Sequence, residues 1–441
     1  MEILYEFIYL VGFTFYVLIL LLRAQLHRGI LMRLGFLPPK NDFYNPIWIH
    51  AVSVGEILSV RALIDKIREH LPHKQLVLST VTATGNSVAR SLARNRDVVI
   101  YLPLDLRFIM CSVIRRIKPS IVVLVETELW PIFINCLARE KIPLVVVNGR
   151  ISDRSLPRYR LLRPFVKSVL EKISCFCVQS VEEKNRLLSL GVAEPKIKVT
   201  GNMKFDINLV SKDVIEKENL LLRTELGIKK TEKVIIAAST HRGEEKILVS
   251  VYEKLIKKYP SCRLIIAPRH PQRVTYLVKW IKENTKLQVQ LISQFKDKSK
   301  TIGLERKEKE DNIVFIIDTV GQLMQFYQIA DIVFVGGSLV PIGGHNILEP
   351  ASLAKPIVFG NYMFNFRSIA ELFIKQNAAI QVKDKQEIYQ VLENLINNQA
   401  LARQLGSQAR LLIQENQGAT LLSLNCILAL LENKNSAKIE K

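Results

Sequence analysis

Acidic residues are scarce in this 441-residue chain: 41 Asp and Glu stand against 62 Lys and Arg, a formal charge of +21. Such a deficit of negative charge implies an acidic partner, whether nucleic acid, anionic lipid or a phosphorylated substrate. Glycine (19) and proline (17) are too few for a fibrous or low-complexity protein. With 49% apolar and 23% charged residues, a wholly disordered chain is excluded. Cysteine is sparse and unpatterned. Cys111, Cys136, Cys175, Cys177, Cys262 and Cys426 form no CxxC pair, and most sit in apolar runs. They are expected to be reduced, buried packing residues of a cytoplasmic protein. No Cys or His cluster has ligand spacing, so neither a metal nor a cofactor is expected. A P-loop is missing. No helix-turn-helix, zinc-finger or RNA-binding signature accompanies the dispersed basic residues, so nucleic acid is not an expected partner.

Long apolar runs are also missing, with one exception. Residues 7–22 read FIYLVGFTFYVLILLL without a charge, about 24 Å as a helix. That is a little short for a full span, although bilayer thinning tolerates it. Glu2 and Glu6 precede the run, and Arg23, His27, Arg28 and Arg33 follow it, the reverse of a cleavable signal peptide. The expected reading is an N-terminal membrane anchor helix over 1–23, with the rest of the chain on the cytoplasmic face. A buried first helix of the globular core is the alternative.

Beyond it, short β-branched runs alternate with helical patterns. They fall at 46–53, 75–82, 97–103, 121–128, 143–150, 175–180 and 196–202, and, after a Lys/Glu/Leu-rich interruption at 206–232, at 233–240, 262–270, 312–319, 331–338 and 356–360. Near-continuous apolar strands separated by helices indicate parallel sheets covered on both faces. The pattern predicts an α/β protein of two doubly wound, Rossmann-like domains, 24–206 and 207–441, with a cleft between them. Ligands of such sheets bind beyond the carboxyl ends of the strands. The polar stretch 293–312 reads as a mobile loop.

Five motifs fall at such ends. In HAVSVGE, Glu56 lies in a first helical turn, where the helix dipole favours its ionised form. It is either a base for a substrate hydroxyl or an ordinary first-turn acid. In VETELWP, Glu126 and Glu128 are two apart on a strand and share a side. They serve a site, or they pair with Arg150 or with Lys204 of GNMKFD. AASTHRGEE offers Ser239 and Thr240 before a Gly-containing turn into a helix, an arrangement that suits an anion. In APRHPQR, Arg269 follows Pro268 and precedes His270. It is either a phosphate clamp or a surface arginine. In GGSLVPIGGHNILEPA, the glycines at 336, 337, 343 and 344 allow close backbone approach to a ligand. Asn346 and Glu349 share a face at a helix start, where the carboxylate suits ribose hydroxyls.

HAVSVGE, STVTATG, VETELWP, VNGRISD, GNMKFD, STHRGEE, APRHP and GGHNILEPA occur in this order. Together they closely resemble the 3-deoxy-D-manno-octulosonic acid (Kdo) transferases of lipopolysaccharide synthesis, from the N-terminal apolar run to about residue 375. The resemblance implies a GT-B glycosyltransferase at the bacterial inner membrane. Such an enzyme moves Kdo from CMP-Kdo to the glucosamine disaccharide of a lipid A precursor, lipid IVA, with inversion. It implies Glu56 as general base, and a CMP site on Arg269 and His270, on Val320, Gly321 and Gln322, and on Asn346, Ile347, Leu348 and Glu349. The chain departs from the family at Gln322, where members often carry Glu. In this picture Glu126, Glu128 and Lys204 brace the acceptor side. The basic series Arg150, Arg154, Arg158, Arg160, Arg163, Lys167 and Lys172 faces anionic lipid headgroups; a solvated helix face is the other reading. A UDP-sugar transferase or epimerase on the same frame is the rival. It would explain the Gly-rich turn and Glu349, but not VETELWP or the apolar run.

Overall fold

The computed structural model describes residues 5, 6, 9, 10, 12, 29–38, 43–209, 211–296 and 312–439. The expected anchor over 1–23 lies largely outside the described residues, as does most of the polar stretch at 293–312. Among the described residues, no helix is long and apolar enough to cross a membrane.

The chain divides into two compact units, Met1–Asp206 with Asn416–Lys441, and Ile207–Glu415. In the first, strands β1 (Ile47–His50), β2 (Leu76–Thr80), β3 (Val98–Tyr101), β4 (Ile121–Val125), β5 (Leu144–Gly149), β6 (Cys175–Val178) and β7 (Ile197–Val199) form one sheet. Its order is β3-β2-β1-β4-β5-β6-β7, and every pairing is parallel. Strands β1 to β6 are buried throughout, which is why they read as unbroken apolar runs instead of alternating ones. Helices α1 (Val54–Ser59), α2 (Arg61–His70), α3 (Arg107–Ile117), α4 (Pro131–Arg139), α5 (Ser155–Leu161) and α6 (Arg163–Leu170) belong to this unit. One face of the sheet packs Trp48, Leu124, Val146 and Phe176 against α3 and α4, with Trp48 and Phe133 rings 4.9 Å apart. The other packs Ile49, Val123 and Val145 against Leu63, Ile64 and Ile67 of α2.

In the second unit, α7 (Lys212–Glu225) leads into β8 (Lys233–Thr240), α8 (Glu244–Lys258), β9 (Cys262–Pro268), β10 (Gln288–Leu291), β11 (Ile313–Ile316), α9 (Leu323–Ile329), β12 (Ile332–Val335), α10 (Leu348–Ser352), β13 (Ile357–Phe359) and β14 (Ile380–Gln381). The parallel order is β10-β11-β9-β8-β12-β13-β14. Both sheet edges, β10 and β14, escape the sequence reading: one is a polar four-residue strand and the other has two residues. The charged stretch at 206–232 carries a packed helix. Helix α7 lies against α9. Its Arg223 is buried and donates to Asp331 at 2.9 Å and to the Glu232 and Ile329 carbonyls.

Two expectations are corrected here. The second domain does not run to 441. The last helix, α11 (Ala419–Ile439), returns to the first unit and packs on α2, β4, β5 and β6. Asp206, at the point where the chain leaves the first unit, accepts from the backbone N–H of Gly418 (2.7 Å) and Thr420 (2.5 Å). One carboxylate thus caps the returning helix where its orphan N–H groups gather. Nor are all six cysteines free thiols: Cys111 on α3 and Cys136 on α4 form a disulfide, with Cα atoms 5.6 Å apart. Spacing could not show this, because packing of α3 on α4 is what brings the pair together.

Candidate active site

In both sheets the strand order reverses at a central pair, β1/β4 in the first and β8/β12 in the second. The crevice beyond the carboxyl ends at such a reversal is where open α/β sheets hold ligands. The motifs gather there, and each unit carries its own group of side chains.

In the first unit, β1 ends at His50 and α1 begins at Val54. Ser53 caps the helix, accepting from the Glu56 N–H at 3.4 Å, while its hydroxyl donates to Glu56 Oε1 at 2.9 Å. Glu56 Oε2 accepts the Val52 N–H at 2.8 Å. This reciprocal Ser-x-x-Glu cap fixes the carboxylate in one rotamer. Only 8% of Glu56 is exposed. Burial pushes its carboxyl up to about 7; the Val52 N–H opposes this, and the charges of Glu126 and Glu128 add to it. A carboxylate with that affinity for a proton suits proton abstraction near neutral pH.

Glu126 and Glu128 do not lie on a strand. Strand β4 ends at Val125, and Glu126 takes a left-handed φ of 59° in the bend that follows. Glu126 pairs with Arg150 Nε at 2.7 Å. Burial raises the Glu128 carboxyl, and Glu126 raises it further. Lys204 reaches this group through a relay of amides. Asn148, on β5 with φ 53°, accepts the Met203 N–H at 3.1 Å. Gln179 donates to the Asn148 carbonyl and accepts from Asn202. Burial lowers the Lys204 ammonium's hold on its proton, while the charges of Glu126 and Glu56 oppose that fall. Three carboxylates, Lys204 and Arg150 therefore make one charged cluster. A cavity of about 650 Å³ also opens in this unit, lined by Leu10, Leu106, Phe108 and Cys111 with Glu6, Arg107, Arg115 and Arg139.

In the second unit, Ser239 adopts φ 53° at the end of β8. Thr240 is fully buried, and its hydroxyl donates to Glu245 at 3.3 Å, so it is committed within the protein instead of presented to an anion. Glu245 also takes a bidentate pair from Arg273 at 3.0 and 3.3 Å. Pro268 ends β9, and Arg269 and His270 follow it, both exposed; the Arg269 N–H bonds the Thr240 carbonyl at 3.0 Å. Asn346 donates to Glu349 at 3.1 Å and accepts the Leu348 N–H at 3.0 Å. Ile347 and Leu348 are core residues. Burial raises the Glu349 carboxyl, with Asn346 and the Arg269 charge opposing. A cation facing a hydrogen-bonded carboxyl suits an anionic ligand that carries hydroxyls. Val320 is 83% exposed, Gly321 has φ 87°, and Gln322 precedes α9. Among the described residues, no hydrogen bond joins that turn to Arg269, His270 or Glu349.

The sequence reading missed three residues here. Three of the seven histidines converge: His241 Nε2 lies 2.8 Å from His345 Nε2 with the rings parallel, and His270 meets His241 edge-on at 5.6 Å. One imidazole of the 2.8 Å pair must donate and the other accept. Burial pushes His345 down to about 4, with His241 and Arg269 lowering it further. The third is Glu244, fully buried, which accepts the N–H groups of His241 (2.8 Å), Gly337 (2.7 Å), Ser338 (3.0 Å) and Leu339 (2.9 Å). The expected role of the glycines changes as well. A Cβ on Gly336 would lie 2.7 Å from the Ser239 carbonyl oxygen, and one on Gly344 2.2 Å from Met363 Sδ. They let chain approach chain.

The family described as 3-deoxy-D-manno-octulosonic-acid transferase (kdotransferase) matches residues 28–207, the stretch that holds the Glu56, Glu126, Glu128 and Lys204 cluster. A 3-deoxy-D-manno-octulosonic acid transferase of Haemophilus influenzae is 33% identical over 376 residues, 85% of this chain and 84% of that protein. The chain belongs to the Kdo transferase family. A second Kdo transferase, of Chlamydia pneumoniae, is 29% identical over 86% of this chain and 84% of its own length. A bifunctional glycosyltransferase/methyltransferase of Fusobacterium nucleatum is 37% identical over 86% of this chain. The chain spans 56% of that larger protein. Among solved structures, UDP-GlcNAc 2-epimerase of Neisseria meningitidis bound to UDP-GlcNAc matches with a TM-score of 0.56 at 15% identity, covering 87% of this chain and 100% of that one. A UDP co-structure of Staphylococcus aureus MnaA matches with a TM-score of 0.51 at 16% identity, covering 88% and 97%. At such identities these show the fold alone: two parallel-sheet α/β units like those of GT-B glycosyltransferases. Kdo transferases are glycosyltransferases, and this chain is one by family.

Proposed function

We propose that this Kdo transferase moves Kdo from CMP-Kdo to a glucosamine hydroxyl of a lipid A precursor such as lipid IVA, with inversion. The observation that carries the reading is Glu56: a carboxylate locked at a helix start, raised to about 7 and set among Glu126, Glu128 and Lys204. Glu56 takes the proton from the acceptor hydroxyl as that oxygen attacks the anomeric carbon, on the face opposite the leaving CMP. Arg269 and the helix-end amides stabilise the charge that develops on the phosphate. Glu349 binds ribose hydroxyls, and His270 and Ser239 sit beside the phosphate. Mass spectrometry of products from lipid IVA and freshly generated CMP-Kdo tests the activity. An unmodified acceptor would refute it.

The donor is tested separately. In calorimetric titration, CMP is expected to bind and UDP to bind at least about tenfold more weakly. Arg269→Ala should weaken CMP by about 2 kcal/mol, the scale of a charge-assisted contact. Tighter binding of UDP would favour the rival epimerase-like reading.

A lipid acceptor is supported by the cavity that sets Leu10, Leu106 and Phe108 beside three arginines. The basic series adds to this. Arg154, Arg158, Arg160 and Arg163 are exposed on α5 and α6 and around them, and Leu161 is 83% exposed in their midst. Arg150 is set apart by its pairing with Glu126. We infer that this face meets an anionic leaflet on the cytoplasmic side of a bacterial inner membrane. Changing the four arginines to glutamine should reduce the preference of the full chain for anionic over neutral vesicles by about tenfold or more, at roughly 1 kcal/mol per charge. An unchanged preference would remove this face from membrane contact.

A further inference from the structure

Cys175 and Cys177 are two apart on β6, so their side chains leave the sheet on one face. Helix α11 covers that face and brings Cys426 to it. The three Sγ atoms lie within 4.8 Å of one another. Cys177 is fully buried, Cys175 is 9% exposed, and Cys426 is half-buried. Apolar side chains surround them, among them Val145, Val147, Leu424 and Ile427. None of the three is oxidised, although Cys111 and Cys136 of the same unit are joined.

From this geometry we propose that Cys175, Cys177 and Cys426 form a three-thiolate site for a thiophilic divalent cation, Zn²⁺ being the ordinary candidate. Three sulfurs each about 2.3 Å from one cation define a triangle with edges of about 4.0 Å. The observed spread needs only side-chain adjustment to reach that. Soft thiolates select such ions over Mg²⁺ or Ca²⁺. Binding replaces three S–H bonds by three metal–sulfur bonds and releases three protons to the buffer. Three negative sulfurs and one dication leave one net negative charge. Lys198, which pairs in register with Cys177 on the neighbouring strand β7 and acts electrostatically on Cys175 and Cys426, offsets it. A disulfide accounts for the trio less well, since it would leave one buried thiol over. The ion would staple α11, the last helix of the chain, to the sheet from which the chain departs at Asp206. Its binding energy would then be stability of that attachment.

The test uses the purified full chain with the Cys111–Cys136 disulfide intact and Cys175, Cys177 and Cys426 as thiols. Titration with Cd²⁺ should give a thiolate-to-cadmium charge-transfer band in the ultraviolet that saturates at one equivalent, and Zn²⁺ should displace it. Zn²⁺ should also protect Cys175, Cys177 and Cys426, but not Cys262, from maleimide under partial denaturation, read by peptide mass mapping. Cys177→Ser and Cys426→Ser should each weaken Cd²⁺ binding by about 100-fold or more, while Cys262→Ser leaves it unchanged. The protection assay needs no variant, so a serine variant that fails to fold does not block the test. No band at one equivalent, or equal alkylation of the three cysteines with and without Zn²⁺, would overturn the site. A band that persists in both serine variants would overturn it too.

Discussion

Glu56→Gln is expected to lower kcat by about 10³-fold, within the range of a positioned general base, with CMP affinity unchanged. Glutamine keeps the length of the side chain, an oxygen for the Val52 N–H, and an NH₂ group that can donate to the Ser53 oxygen where the carboxylate accepted from it, so the helix start survives. What it loses is the ability to take a proton. The pH profile carries a second signature. Because burial holds the carboxyl at about 7, the wild-type rate should rise with pH through that value and level off above it. Stability moves the other way. A carboxyl whose folded affinity for a proton exceeds its unfolded one contributes stability below about 4.5, and that contribution is lost as pH rises through about 7. Glu56→Gln removes this dependence, so its stability relative to wild type should improve between pH 5 and pH 8 by as much as about 3 kcal/mol. Thermal melts at the two pH values, run beside single-turnover kinetics, check both signs together. Wild-type turnover in the purified variant would strip Glu56 of the base role.

Glu244→Ala should be the most damaging single change in the second unit. Its carboxylate is the common acceptor for four backbone N–H groups, one on the β8–α8 turn and three on the turn after β12. Removing it leaves those donors without a partner in a buried place, at about 1–3 kcal/mol for each one fully desolvated. With Ser338 and Gly337 buried, a total of about 4 kcal/mol is expected, or about 10 °C in Tm for a unit of this size. Donor affinity should fall with it, because the turn carrying Gly337 and Ser338 leads into His345, Asn346 and Glu349. Differential scanning calorimetry with CMP titration is the measurement, and a Tm within about 2 °C of wild type would contradict the account.

Much of this architecture is legible in the linear chain because a parallel sheet is buried on both faces. A strand buried on both faces must then be apolar, and most of the twelve runs stand out for that reason; β7, with Lys198 and Val199 exposed, is an exception. The polar edge strand at 288–291 and the two-residue strand at 380–381 lack that signature. Glu56 is legible as a first-turn acid because a strand end followed by a helix start is a local event; the Ser53 cap that fixes its carboxylate shows only in the structure. Glu126 and Glu128 stand out as a pair in the sequence, but their geometry does not: the strand stops at Val125, and a positive φ at residue 126 turns the chain. Thr240 has the sequence setting of an anion contact, but its hydroxyl is committed to Glu245. The glycines of the 336–344 loop read as room for a ligand, whereas their missing Cβ atoms make room for Ser239, Thr240 and Met363.

Local chemistry is written in order along the chain: two strand–helix series, the first-turn carboxylate at residue 56, the Kdo transferase motifs and an excess of positive charge. Only the tertiary structure decided which distant groups meet. It returned α11 to the first unit under the Asp206 cap, paired Cys111 with Cys136, set Cys426 beside Cys175 and Cys177, and put His241 against His345. The physical reason is that caps and strand periodicity are fixed by neighbours a few residues apart. Contacts between residues far beyond one helical turn are fixed by helix packing and shared hydrogen-bond acceptors, and no spacing rule along the sequence encodes those.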